Sequence, residues 1–189
     1  MVEVRWAERK DAPRVYALVR ALVQAEQAQP PSPAAFARTW KESFREQRFR
    51  FVLAWEGVEL VGCMSLHAHY STWKGQPVVS LEDFFVLHNH RGKGIGSQML
   101  AFADQHARAL KAARIELHVR RDNARAQGLY LRSGFEDTPY LWYNRPIVAV
   151  EEQAAPEGAG AREVEGGGTP APRKRAGART RRAGARRHR

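Results

Sequence analysis

Apolar residues return in two rhythms over the first 150 positions and all but vanish afterwards. Val2, Val4 and Trp6 alternate with polar neighbours, the pattern of a short strand. Asp11-Ala12-Pro13 then offers a helix start, with Asp11 as N-cap and proline in the first turn. Val15, Leu18, Val19, Leu22 and Val23 continue it as an apolar stripe that stops before Pro30-Pro31. Phe36, Trp40 and Phe44, at spacing four, predict a second helix over 33–47. Residues 49–55 and 58–67 read as two strands joined at Glu56-Gly57, and 70–77 as a loop. The run 78–87 is the most continuously apolar, as a strand covered on both faces would be. A glycine-rich turn leads into a helix over about 94–112, and Ile115, Leu117 and Val119 alternate as a further strand. Residues 123–133 read as a helix stopped by Gly134, and 135–148 as one or two last strands. Strands and helices interleave, so the fold class is α/β.

Composition divides the chain in two. Residues 1–150 carry 21 Lys/Arg against 15 Asp/Glu, whereas residues 151–189 carry 10 against 5 and no aromatic residue. A segment so poor in apolar surface cannot offset its ordering entropy, so 151–189 is expected to be a disordered basic tail behind a folded domain over 1–150. Its arginines suit non-specific contact with nucleic-acid phosphates, without aromatics for base stacking. Cys63 is the single cysteine, which excludes an intrachain disulfide and a cysteine-based zinc cluster, and its apolar neighbours point to a packing role. No run of eighteen apolar residues and no secretory-type start is present, so a cytoplasmic chain without membrane contact is expected. His88 and His90 flank Asn89 but lack a third ligand at suitable spacing, so they read as turn residues and no metal is expected.

Chemistry concentrates after the apolar strand, in Arg91-Gly92-Lys93-Gly94-Ile95-Gly96-Ser97. A strand, a glycine turn and a helix start aim unpaired amides and a positive dipole end at one point, where an anion can sit. Two nucleotide signatures fail here. Lys93 is followed by Gly94 rather than Ser or Thr, and a G-x-G-x-x-G begun at Gly92 would need glycine at Ser97.

On Arg91-x-x-Gly94-x-Gly96 the chain resembles the GNAT N-acetyltransferase family over about residues 2–147. Leu81-Glu82-Asp83-Phe84-Phe85-Val86, with Asn123 seven residues ahead of Tyr130, is similar to its diamine (spermidine/spermine) acetyltransferase branch. The resemblance implies a mixed, mostly antiparallel sheet of six to seven strands flanked by about four helices and splayed between the fourth and fifth strands. It implies acetyl-CoA as co-substrate and a homodimer. Phe84, Phe85 and Val86 would line the pantetheine arm, an amide near Val86 would polarise the thioester carbonyl, and Arg91, Gly92, Lys93, Gly94, Ile95, Gly96 and Ser97 would hold the pyrophosphate. Asn123 would bond the cofactor arm or cap its helix. Tyr130 would return a proton to the departing thiolate.

Acetyl transfer needs a neutral amine, so a carboxylate must take its proton. Glu82 is the expected base and Asp83 the amine-attracting group, though on a regular strand only one of two neighbours faces the site unless a bulge intervenes. Glu26 and Trp73 complete the expected acceptor side. The branch's acidic features thin out here: Ala25-Glu26 keeps one acid, Ser71-Thr72-Trp73 none, and Arg120-Arg121-Asp122 is largely basic. The acceptor is therefore expected to be a small primary amine, a diamine or polyamine or, favoured by these losses, an amino-acid-like amine. The alternatives are a protein acetyltransferase recruited by the tail and a non-catalytic module binding CoA or nucleic acid.

Overall fold

A computed structural model describes residues 1–45 and 49–145. Nine main elements follow in order: β1 (Val2–Trp6), α1 (Ala12–Ala25), α2 (Pro33–Glu42), β2 (Phe49–Glu56), β3 (Glu59–Ser71), β4 (Gln76–Val86), α3 (Ile95–Ala109), β5 (Ile115–Leu117) and α4 (Ala124–Arg132). Residues 1–143 form one compact unit. The described strands make a five-stranded sheet in the order β1-β2-β3-β4-β5, antiparallel except for the parallel pair β4 and β5.

The sheet is buried on both faces, which explains the apolar runs of its central strands. Along β2, Phe51, Leu53 and Trp55 pack with Val15, Leu18 and Val19 of α1 and Phe36 and Trp40 of α2. The residues between them, Val52 and Ala54, pack with Ile95, Met99 and Ala103 of α3 and Tyr130 of α4. The two-residue period of a strand thus feeds two separate cores. Cys63 lies in the first, fully buried, and loss of water pushes its thiol up to about 12. No described helix is long and apolar enough to cross a membrane.

Several boundaries differ from the sequence expectation. The loop expected over 70–77 is instead a hairpin: pairing continues to Ser71↔Gln76, and the turn closes through Gly75 N–H to the Ser71 carbonyl at 2.8 Å. Cross-strand hydrogen bonds there override the polar composition. Helix α2 ends at Glu42, with the Ser43 hydroxyl donating to the Trp40 carbonyl at 2.8 Å, and residues 46–48 lie outside the described ones. Asp11 sits at the N-cap of α1 without a cap bond. Its buried carboxylate accepts instead from the Glu8 N–H and from Arg5, each at 2.9 Å. Burial works to raise the Asp11 pKa, but the Arg5 hydrogen bond, the Glu8 amide and nearby positive charge outweigh it and hold it low. Residues 118–145 hold no strand, so five strands stand among the described residues against the six to seven expected. The rest of the last expected strands, 146–148, and the basic tail lie outside the described residues.

Candidate active site

Strand β4 makes the site because its two edges are occupied differently. One edge pairs with β3 over Gln76–Val86, whereas the other meets β5 only at Val79, Ser80 and Leu81. From Glu82 to Val86 that second edge has no strand neighbour among the described residues. The Leu87 N–H donates to the Val61 carbonyl at 2.9 Å. Strand alternation therefore turns the Val86 N–H the other way, into the open edge. The Val86 carbonyl points there too and accepts from Arg91 Nε at 2.8 Å.

A β-bulge interrupts the strand at the acidic pair. Cys63 opposes Phe85 and Ser65 opposes Glu82, leaving Met64 alone against Asp83 and Phe84. Asp83 absorbs the irregularity with φ +53, a left-handed conformation that aspartate tolerates better than most residues. Leu81 and Phe84 both pack on the α3–α4 side. The two residues between them both turn to the α1–α2 side: Asp83 Oδ2 accepts from Ser65 Oγ at 3.3 Å, and Glu82 Oε2 lies 3.8 Å from His67 Nε2. The bulge thus brings together two carboxylates that a regular strand would part. Surrounding protein strips water from Asp83 and raises its pKa, the Glu82 charge adds to the rise, and the Ser65 bond and His67 oppose it. Asp83 nevertheless remains exposed to solvent.

The turn beyond β4 is built from backbone. Gly92 and Gly94 both hold φ +80, and a Cβ on either would meet only open space, so conformation rather than crowding calls for glycine. Gly94 is the N-cap of α3, whose first amides point back over the turn. Ile95 anchors the helix in the core. Gly96 has another role: a Cβ there would stand 2.9 Å from Leu129 Cδ2 and 3.4 Å from Phe84 Cζ, so its absence lets α3 approach α4 and β4. The flanking cations are turned elsewhere. Arg91 lies over the Phe85 ring at 5.4 Å while bonding Val86, and Lys93 Nζ is 3.8 Å from Glu56 Oε2. Glu56 is also held by His90 Nδ1 at 2.7 Å, which, with Lys93, depresses its pKa. Ser97 lies exposed in the first turn of α3.

Tyr130 occupies the opposite face from the carboxylates. It is nearly buried, with ring centroids 6.0 Å from Phe84 and 5.7 Å from Phe135, and burial pushes its phenol up to about 12. Loss of water is the one cause of that rise, with no hydrogen bond to the hydroxyl contributing among the described residues. Asn123 caps α4, accepting from the Ala126 N–H at 3.1 Å. Glu26, just after α1, faces Arg120 at 3.7 Å, and Arg120 in turn holds Asp122 at 2.6 Å. Arg120, Arg121 and Asp122 line a surface depression of about 480 Å³. Trp73 is not brought to the carboxylates: it stands 84% exposed at the β3–β4 hairpin tip, about 20 Å along the strand from Glu82. Ser65 and His67, which touch the acidic pair, went unread in the sequence. Their signal was a polar residue at every second position of an otherwise apolar strand. Among the described residues, no group of three or more His, Cys, Asp or Glu could hold a metal ion.

A glycine turn at a helix start is thus set beside a strand with one open edge and an acidic bulge. The family model described as the acetyltransferase (GNAT) family matches residues 5–135, and the chain belongs to that family of acyltransferases. It is 31% identical over 142 residues to an aminoalkylphosphonate N-acetyltransferase of Salmonella typhimurium, covering 73% of this chain and 87% of that protein. It is 39% identical over 75 residues to a spermine/spermidine N(1)-acetyltransferase of Bacillus subtilis, covering 39% of this chain and 49% of that protein. The solved structure of AAC(6')-Iy in complex with a CoA bisubstrate analog superposes with a TM-score of 0.68 at 18% identity, covering 78% of this chain and 99% of that one.

Proposed function

We propose that this chain transfers the acetyl group of acetyl-CoA to the primary amine of a small molecule that also carries an anionic group. Donor and acceptor meet directly in a ternary complex. The open edge of β4 suits the amide-bearing pantetheine arm, which can pair there as an added strand along Phe84, Phe85 and Val86. The Val86 N–H is a preorganised donor for the thioester carbonyl. The paired left-handed glycines, with the α3 amides, suit the pyrophosphate. Asp83 and Glu82 approach from the α1–α2 face to take the ammonium proton, and Tyr130 approaches from the other face to protonate the leaving sulfur.

One observation carries the choice of acceptor. Glu26, just after α1, is not a free carboxylate for a second ammonium group, because it already faces Arg120. Arg121 adds a second cation beside it, without an acidic partner among the described residues. A polycationic acceptor finds no unpaired acid beside Arg121, whereas a carboxylate or phosphonate would be drawn to its guanidinium. The name of the Salmonella relative, an aminoalkylphosphonate acetyltransferase, is consistent with this choice.

The experiment is an acetyl-CoA consumption assay over aminoalkylphosphonates, lysine analogues and spermidine. Anionic single amines are expected to exceed spermidine in kcat/KM by about tenfold or more, and Arg121→Glu should erase that preference. A wild-type preference for spermidine would overturn the acceptor assignment.

A further inference from the structure

Ser65 is fully buried in the middle of the sheet, yet its hydroxyl joins two groups of different kinds. It donates to Asp83 Oδ2 at 3.3 Å and lies 3.1 Å from His67 Nε2. His67 Nε2 in turn lies 3.8 Å from Glu82 Oε2, and the His67 side chain is 35% exposed. A continuous line therefore runs from a carboxylate at the open edge of β4, through a dry hydroxyl, to an imidazole in contact with water.

We propose that Ser65 and His67 carry out to solvent the proton that the acceptor amine gives up at Asp83. The inference rests on the acetyltransferase reading above and assigns the proton's path. An ammonium and a thioester give an amide, a thiol and one proton, so each turnover must dispose of one proton. In the resting arrangement the Ser65 hydroxyl donates to the Asp83 carboxylate and accepts from His67 Nε2–H. When the ammonium N–H breaks and its proton reaches Asp83, the imidazole gives its Nε2 proton to water and takes one at Nδ1, and the hydroxyl turns. Asp83 gives its proton to the Ser65 oxygen while the original Ser65 proton passes to the free electron pair of His67 Nε2. The imidazolium so formed stands beside the Glu82 carboxylate and releases its Nδ1 proton to water, which restores the resting tautomer. The neutral amine then forms its bond to the acetyl carbon as the carbon–sulfur bond breaks. The second amine proton ends on the thiol.

The surroundings of His67 suit a relay. From β2 only the uncharged Phe49 ring faces it, stacked at 4.4 Å. From β4 come Glu82, Asp83 and the cross-strand Ser80, whose hydroxyl donates to Glu116 of β5 at 3.2 Å. From β3 itself come Ser65 and, two residues on, His69, which is occupied by Glu116 at 3.7 Å. Glu82 is thus the one carboxylate within 4 Å of the His67 ring among the described residues. Ser65 and His67 act through Asp83 and touch no substrate, so they are positioning residues for proton flow.

The test is the pH profile of kcat for His67→Gln, Ser65→Ala and the double variant, with acetyl-CoA affinity measured by calorimetry as the check on folding. His67→Gln, at a partly exposed position, keeps the test valid if the buried Ser65→Ala fails to fold. Each single variant is expected to lose about tenfold or more in kcat at neutral pH and to recover toward alkaline pH, where the amine enters already neutral. The double variant should be no worse than either single, because both break one path. A loss uniform across pH, additive losses or no loss would overturn the relay while leaving the acetyltransferase reading in place. A wild-type protein that binds acetyl-CoA but acetylates no amine would overturn both.

Discussion

The bulge in β4 and the glycine turn beyond the strand, proposed to serve one reaction, are built from different material. At the C-terminal end, the turn from Arg91 to Gly96 gathers its donors from consecutive main-chain amides, and its cationic side chains point away to Val86 and Glu56. At the bulge, chemistry comes from side chains of separate strands, Ser65 and His67 on β3 with Glu82 and Asp83 on β4. The first region depends on φ angles at two glycines, the second on a register irregularity and on electrostatics. They should therefore fail in different kinetic parameters.

The largest effect is expected from Asp83→Asn. Asparagine tolerates a φ of +53 and keeps an acceptor for Ser65, so backbone and fold should be preserved while the base is removed. We expect kcat to fall roughly 1000-fold near neutral pH, with acetyl-CoA affinity unchanged. In the proposed role, the same residue should set the pH dependence of the wild type. With its pKa raised by lost hydration and by the Glu82 charge, a base at Asp83 should lose activity as pH falls through a value above that of an ordinary aspartate. A kcat/KM profile whose acid limb lies at an ordinary aspartate value would remove Asp83 from that role.

Gly94→Val should break the other region, by roughly 100-fold. A β-branched residue at φ +80 is strained by a few kcal/mol and would pull the turn out of shape, although a Cβ there would meet open space. The loss should appear as weaker acetyl-CoA binding in calorimetry, while the KM for the amine stays near that of the wild type. Equal damage to both parameters would mean that the turn and the bulge are not separable.

That separation also explains what could be read in the chain beforehand. The turn is local: strand, two glycines and helix start lie within 91–97, and a pattern read along the chain finds them. The Asn123 cap and the buried Cys63 are local in the same sense. The bulge is not, because it arises from one extra residue on β4 relative to β3, and no single-strand pattern contains that comparison. Ser65 and His67 become visible only once β3 lies beside β4. The ion pair between Glu26 and Arg120 joins residues from α1 and from beyond β5, which periodicity cannot connect. Trp73 taught the reverse. Likeness placed it at the acceptor, but pairing extends the hairpin and carries it away from the carboxylates of its own chain.

The smallest effect is expected at Tyr130, which packs on Phe84 across the sheet from the carboxylates. Its phenol is pushed up to about 12 by loss of water. Against a thiol near 8.5 in water, that is an uphill transfer of about 5 kcal/mol. The mismatch narrows when the donor is bound, because a thiolate leaving into the same dry space is also raised by burial. Burial therefore shifts both partners in one direction and preserves their ability to exchange a proton. Tyr130→Phe removes only the hydroxyl, which has no hydrogen-bond partner among the described residues, from a ring packed on Phe84 and Phe135. Thermal stability should stay within about 0.5 kcal/mol of the wild type, while kcat falls roughly tenfold. The deficit should shrink with acyl donors whose leaving thiols are more acidic, since these depart without a proton. A deficit that ignores leaving-group acidity would make Tyr130 part of the α3–α4 core and nothing more, and would leave water as the proton's source on that face.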